Sequence, residues 1–121
     1  MSRKGLDKIN TEIEDHEGVP VLKLSGSFSG EVAYEVLDVV SNKLFQKDKY
    51  SFILDMTDLQ KFLSRGVAVI IEMSSIVSEK EGNLVIVCDK EEFRIVLEEC
   101  DIERLARISD NLENALEIIR K

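Results

Sequence analysis

The chain has little of what several classes of protein require. Its 121 residues include no Trp, one Pro, six Gly, two Cys and one His. So few Pro and Gly, with 44% hydrophobic residues, exclude a disordered chain. The apolar run at residues 67–71 is far shorter than the ~20 residues of a membrane helix. No apolar run follows the basic residues near Met1, so we expect no signal peptide and a cytoplasmic protein.

Residues that perform catalysis or hold metals are also scarce. His16 is predicted to lie exposed in a turn, with no nucleophile pattern around it. Cys88 and Cys100 are not spaced as a CxxC pair and are expected to be reduced and buried. Phosphate-cradling glycine motifs are missing. We therefore expect no catalytic residue, no metal site and no cofactor, and a small α/β enzyme is the least supported function.

The charge balance argues against a nucleic-acid-binding protein. Sixteen Lys and Arg against 24 Asp and Glu give a formal net charge of −8. Binding to a phosphate backbone depends on Lys and Arg, so direct contact with nucleic acid is not expected. The chain has the length of one domain, residues 1–121, and no linker-like segment divides it.

Hydrophobic periodicity predicts an α/β fold. It indicates, in order, a hairpin of residues 9–14 and 19–28 about a turn at 15–18, a helix after Gly30, a strand at 50–54, a loop at 57–63, a helix at 66–78, a strand at 84–88, a helix capped by Asp89, a short strand at 107–108 and a helix capped by Asp110. The order β-β-α-β-α-β-α-β-α predicts a mixed sheet of four to five strands with about four helices.

The segment from the strand that ends at Asp55 to the helix after Ser64 suggests a functional site. A buried strand ends at Asp55, a polar stretch follows, and Ser64 stands directly before a helix. Ser64 is therefore a predicted N-cap, and as such its replacement by Ala would cost about 0.5–2 kcal/mol. A helix N-terminus also accepts an anion, so a phosphate on Ser64 is compatible with the fold.

Here the chain resembles the STAS family, in particular the bacterial anti-sigma-factor antagonists. The family pattern is approximately D-L-[ST]-x-V-x-x-[IM]-D-S-[ST]-G-[LV], and this chain has DMTDL at residues 55–59 and SRGV at 64–67 without a gap. Residues 21–26, 82–87, 96–105 and 111–116 are similar to other parts of the family. The resemblance extends over nearly the whole chain and implies a STAS-like fold.

The resemblance also implies a function. Ser64 matches the serine that is phosphorylated by a partner, an anti-sigma factor that is itself a serine kinase. When the unmodified antagonist binds the anti-sigma factor, a sigma factor is released for transcription. Phosphorylation of the antagonist dissociates the complex, and a serine phosphatase then removes the phosphate. ATP belongs to the kinase. The implied partner-binding residues are Ser29, Asp55, Thr57, Phe62, Leu63, Arg65 and Gly66.

Three positions depart from the family pattern. Leu63 replaces an acidic residue, Arg65 replaces a second hydroxyl residue, and Ser29 replaces an aspartate. Leu63 and Arg65 support an alternative, a STAS interaction module that binds a partner or small ligand without a phospho-switch, with Phe62 and Leu63 as a constitutive docking surface. The sigma factor, the kinase and the oligomeric state are left open.

Overall fold

Five strands form one sheet whose spatial order is the same as their order in the chain. A computed structural model describes residues 8–121. The strands are β1 Ile9–His16, β2 Val19–Phe28, β3 Phe52–Phe62, β4 Leu84–Val87 and β5 Arg107–Ser109. The helices are α1 Ala33–Lys43, α2 Ser64–Glu79, α3 Glu91–Glu99 and α4 Leu112–Arg120. Short 3₁₀ turns occupy Gly30–Val32, Phe45–Lys47 and Ile102–Arg104. The predicted α/β class and element order are confirmed.

The predicted hairpin forms the antiparallel part of the sheet, and β2 to β5 are parallel. Its two-residue turn has positive φ at both Glu17 (55°) and Gly18 (92°), as a tight hairpin turn requires. His16 was predicted to be an exposed turn residue, but it is the last residue of β1. Its Nε2 lies 3.0 Å from Oε1 of Glu14, because alternate residues of a strand share a face.

The two faces of the sheet are covered differently. Helices α1, α2 and α3 pack on one face, against strand residues that include Leu22, Leu54 and Ile86. Helix α4 packs on the other face, against Val21, Ile53, Val85 and Val87. The side chains at the start of β3, residues 52–54, alternate between these faces, so the central strands are buried on both sides there, as parallel strands usually are.

The predicted loop at residues 57–63 is wrong, because β3 continues to Phe62. The pairing with β2 shifts twice, once between Lys23/Ser25 and again between Gly26/Ser27. Each shift gives β3 one extra residue, which is a β-bulge. The bulges place Met56, Leu59 and Phe62 in the same core at a spacing of three. The second half of β3 therefore lacks the alternation of apolar and polar residues that predicts a strand, although these residues do form one.

Two predicted helix caps lie one residue from the observed ones. The residue at the start of α3 is Lys90, which has an extended backbone and no side-chain cap, and Asp89 precedes it. Helix α4 is capped by Asn111, whose side chain accepts a hydrogen bond of 2.7 Å from the backbone of Asn114. Asp110 instead forms an ion pair with an arginine of α3. Both aspartates are adjacent to the cap position, where composition alone does not separate neighbours.

The expectation of two buried thiols is half correct. Cys88 is buried at the end of β4, but Cys100 is exposed. The buried face of α3 contains Phe93 and Leu97. Cys100 would lie on the same face if the helix continued for one more turn. The helix ends before that turn, since Asp101 takes a left-handed conformation with φ of 57°. Cys100 therefore faces solvent.

Candidate functional site

The candidate site lies where the parallel strands β2 and β3 end side by side. Phe28 and Phe62 are paired in register, and their rings are stacked with centroids 5.7 Å apart and an interplanar angle of 27°. The backbone N–H of Leu63 donates to the carbonyl oxygen of Phe28 at 3.2 Å. These contacts fix the direction in which the chain leaves β3 and enters α2.

Gly66 brings the first turn of α2 close to the end of β2. A Cβ at this position would lie too close to the carbonyl oxygen of Phe28 for any real contact, and 3.0 Å from Cδ1 of Phe62. Only glycine fits without displacing backbone, which gives the predicted site residue Gly66 a structural reason. The start of α2 is held against two aromatic rings and a main-chain carbonyl.

Ser64 is the first residue of α2, so its prediction as the N-cap is wrong by one position. Leu63 is the N-cap: its backbone is extended (φ −129°, ψ −174°) and its carbonyl accepts from the N–H of Val67 at 3.2 Å. The reason is that the hydrogen bond from Leu63 to Phe28 ends the extended chain there. A leucine side chain cannot accept a hydrogen bond, and the first turn of α2 contains no acidic residue. The helix therefore begins without a side-chain cap.

The surface around Ser64 is apolar on one side and basic on the other. Leu63 is 53% exposed, which is high for a large apolar side chain. Ser64 and Arg65 are exposed as well, and within residues 8–121 neither side chain has a hydrogen-bond or ion-pair partner. Lys61 adds a second exposed cation before the helix. Arg65 thus places an exposed cation next to the serine in a chain of net charge −8.

Ser29 is brought next to this cluster because it follows Phe28 directly. It is only 4% exposed and has an extended backbone that leads into the 3₁₀ turn Gly30–Val32. Its hydroxyl does not cap that turn. The structure therefore places Ser29, Phe62, Leu63, Ser64, Arg65 and Gly66 at one edge of the sheet.

Asp55 and Thr57 are not part of this cluster. Phe62 lies seven residues further along β3 than Asp55, which is roughly 20 Å at the usual rise of a strand. Asp55 is 5% exposed, and its Oδ1 accepts from the N–H of Thr57 at 3.0 Å and from its hydroxyl at 2.8 Å. Oδ1 of this carboxylate is thus bonded within its own strand, at the point where β4 ends beside Asp55.

Two residues that the sequence analysis did not select connect these regions. Lys90 donates from Nζ to the carbonyl oxygen of Thr57 at 2.7 Å and lies 5.7 Å from the ring centroid of Phe93. Phe93 in turn meets Phe62 edge-to-face, with centroids 5.7 Å apart. The start of α3 therefore supports both the bulged part of β3 and its end. A lysine before a helix and a phenylalanine in it give no pattern that would have identified this role.

The geometry at the ends of β2 and β3 is that of an exposed surface. Within residues 8–121, no group of three or more His, Cys, Asp or Glu side chains is placed to hold a metal ion. No helix in the same part of the chain is long and apolar enough to cross a bilayer. What the edge does present is one exposed hydroxyl at a rigid helix start, flanked by an exposed leucine and two cations.

The chain belongs to the STAS family. The family model for the STAS domain matches residues 10–115, which includes all five strands except the first residue of β1. The predicted resemblance is thus confirmed at the level of the family. No curated protein matches the chain at a significant level.

Solved structures agree with this assignment of the fold. TM1081 from Thermotoga maritima superposes with a TM-score of 0.81 at 21% identity, covering 92% of this chain and 95% of the other. An anti-sigma factor antagonist from Mycobacterium paratuberculosis gives 0.78 at 19% identity, with 95% and 97% covered. The anti-sigma factor antagonist SpoIIAA in its unphosphorylated form gives 0.72 at 17% identity, with 92% and 98% covered. At these identities the likeness shows a shared fold.

Proposed function

We propose that this chain is an anti-sigma-factor antagonist that binds a serine-kinase anti-sigma factor and is switched by phosphorylation of Ser64. In this function the chain regulates transcription as a binding protein in the cytoplasm, and the kinase partner supplies ATP. A serine phosphatase returns the modified chain to its binding form. Structural likeness to anti-sigma factor antagonists supports the proposal, and SpoIIAA of Bacillus has also been solved in a phosphorylated form.

The observation that carries the proposal is the position of Ser64. Its hydroxyl is exposed and has no partner within residues 8–121, and it stands at the start of a helix that Gly66 and Phe28 hold in place. A kinase needs an accessible hydroxyl on a backbone that fits its active site. An exposed Leu63 next to it supplies an apolar contact for the same partner.

A phosphate at Ser64 is expected to act on the complex and to leave the fold intact. It adds about −1.5 to −2 charges at pH 7. Within the chain, this charge meets the uncapped N–H groups of α2 and the neighbouring Arg65, which favour an anion. In the complex the phosphate lies inside the contact surface. It forces the partner away from Leu63, and its charge must be desolvated for the contact to form.

The test uses a kinase-type anti-sigma factor, sought among the genes adjacent to the one that encodes this chain. The full chain is incubated with the kinase and ATP, and the phosphate is located by mass spectrometry. We expect one phosphate on Ser64, and none after Ser64→Ala. Ser75→Ala is the matched control, because Ser75 is an exposed serine on the same helix, and it should be modified as the unaltered chain is. Phosphate at Ser75, or none at Ser64, would contradict the proposal.

The second candidate is a STAS interaction module without the switch. The observation that favours it is the 53% exposure of Leu63 beside the cation of Arg65, where the family pattern has an acidic and a hydroxyl residue. In this function Leu63 docks a partner permanently. Phe62, which the sequence paired with it, is 3% exposed and lies in the core, so it only supports the docking surface from within. Leu63→Asp would then abolish partner binding, whereas Ser64→Glu would leave the affinity unchanged. Under the phospho-switch proposal, both substitutions weaken binding.

A further inference from the structure

A second recess lies at the opposite edge of the sheet from Ser64. Its volume is about 350 Å³, and it is bounded by the amino ends of β4 and β5 and by the last turn of α4. Because β3, β4 and β5 are parallel, these amino ends point away from the edge where β3 ends and Ser64 stands. A molecule bound here would therefore not compete with a partner at Ser64.

The recess has an apolar part. Val85 lines it and is almost fully buried, and Ile118 and Ile119 of α4, which pack in the same cluster as Val85, form a half-buried wall. Leu84 also borders the recess, but its side chain packs in the core on the other face of the sheet. The volume is within the range of small-molecule sites, which combine an apolar lining with a few polar groups. The size and shape suit a short hydrocarbon chain or a single ring.

The polar part of the recess is basic. Arg107 of β5 and Lys121 after α4 contribute to the lining, and Asn83 adds an amide. No acidic side chain is among the lining residues, although acidic residues outnumber basic ones 24 to 16 in the chain. Within residues 8–121, neither cation forms an ion pair.

We propose that this recess binds a small carboxylate with an apolar tail, with the carboxylate at Arg107 and Lys121 and the tail against Ile118 and Ile119. The cations come from two elements that are far apart in the chain and converge on one opening. An adjoining depression of about 170 Å³ shares Asn83, Leu84 and Arg107 with the recess. It adds one cation, Arg104, and one anion, Glu103, so the net positive charge of the lining is unchanged. The proposal does not depend on the function of Ser64.

The test follows amide chemical shifts of the full chain during titration with three probes. Octanoate has both the charge and the tail, acetate has only the charge, and 1-octanol has only the tail. We expect saturable shifts from octanoate at residues 83–85, 107 and 118–119. Acetate and 1-octanol should bind at least about tenfold more weakly, because each makes only one of the two contacts.

Two variants complete the test. Arg107→Gln should weaken octanoate binding about three- to fivefold, the factor expected when one partly exposed ion pair is lost, and should leave 1-octanol unaffected. Arg104→Gln is the matched control, since it removes the same charge three residues away without lining the larger recess. Shifts that do not saturate, equal effects of the two variants, or saturable binding elsewhere on the chain would overturn the proposal. Retained dispersion of the amide spectrum shows that each variant is folded.

Discussion

Gly66 in the first turn of α2 lies directly against the main-chain carbonyl of Phe28 at the end of β2. The same carbonyl accepts the N–H of Leu63 at 3.2 Å, so one oxygen contacts the chain on both sides of Ser64. This arrangement makes the helix start a rigid part of the sheet edge. The fixed direction of Ser64 follows from these contacts.

Replacement of Gly66 by alanine should therefore destabilise the protein. In an unobstructed helix the change stabilises by about 1 kcal/mol, because alanine has the higher helix propensity. Here the added methyl group meets backbone, and we expect a net loss of about 1–3 kcal/mol in the free energy of unfolding. Urea denaturation followed by circular dichroism measures it, and a gain in stability would show that the predicted close approach is absent.

The uncapped start of α2 predicts that a negative charge at Ser64 stabilises the folded chain. Ser64→Asp should raise the free energy of unfolding by about 0.3–1 kcal/mol at low salt, with a smaller gain at high salt. The control Ser75→Asp lies beyond the first turn, where the helix dipole has little effect. Equal changes in the two variants would contradict the placement of Ser64 at the helix start.

The neutral replacement Ser64→Ala has a different expected result from the one that the sequence implied. As an N-cap, Ser64 would have contributed about 0.5–2 kcal/mol. As the first helical residue, with a hydroxyl that bonds to no described residue, it should change stability by less than about 0.5 kcal/mol. Thermal and urea denaturation of the variant separate the two values, and a loss above about 1 kcal/mol would restore the capping role.

Ser74 is a buried polar group on α2. It is 0% exposed, and its Oγ has no hydrogen-bond partner among residues 8–121. Removing such a hydroxyl relieves a desolvation cost, so Ser74→Ala should stabilise the chain by about 1 kcal/mol. The exposed Ser75→Ala reports the gain in helix propensity alone and should give only about half of that. A loss of stability in the Ser74 variant would show that its hydroxyl is bonded in solution.

The two cysteines should react very differently. Burial raises the pKa of the Cys88 thiol, which lies in the core, whereas Cys100 is exposed after α3. Because the thiolate is the reactive form, iodoacetamide at neutral pH should modify Cys100 and leave Cys88 unmodified until the chain unfolds. Mass spectrometry of the labelled peptides distinguishes the two sites. Early modification of Cys88 would contradict its buried position.

The sequence predicted the order of elements because each has a regular hydrophobic period. The hairpin, the buried strands and the helices all follow such a period and were confirmed. The end of β3 was missed because its two bulges place core residues three apart, a spacing that belongs to neither a strand nor a helix. The start of α2 differs by one residue because the main-chain hydrogen bond of Leu63 to Phe28 decides where that helix begins.

The candidate site was predictable only in part. The resemblance to the family selected Ser29 and residues 62–66 at two separate places in the sequence, and the structure places them together at the ends of β2 and β3. Asp55 and Thr57 are close to Ser64 in the family pattern, but a long strand separates them from it. Lys90 and Phe93 depend on contacts between distant segments, which no local pattern encodes.

The central claim, that phosphorylation of Ser64 switches partner binding, is tested most directly by one calorimetric comparison. The affinity of the purified kinase-type anti-sigma factor is measured for the unmodified chain and for the chain carrying phosphate on Ser64. We predict that the phosphate weakens binding by about 100-fold or more, equivalent to roughly 2.7 kcal/mol, because it places an unpaired charge within the contact surface. Equal affinity of the two forms would contradict the phospho-switch.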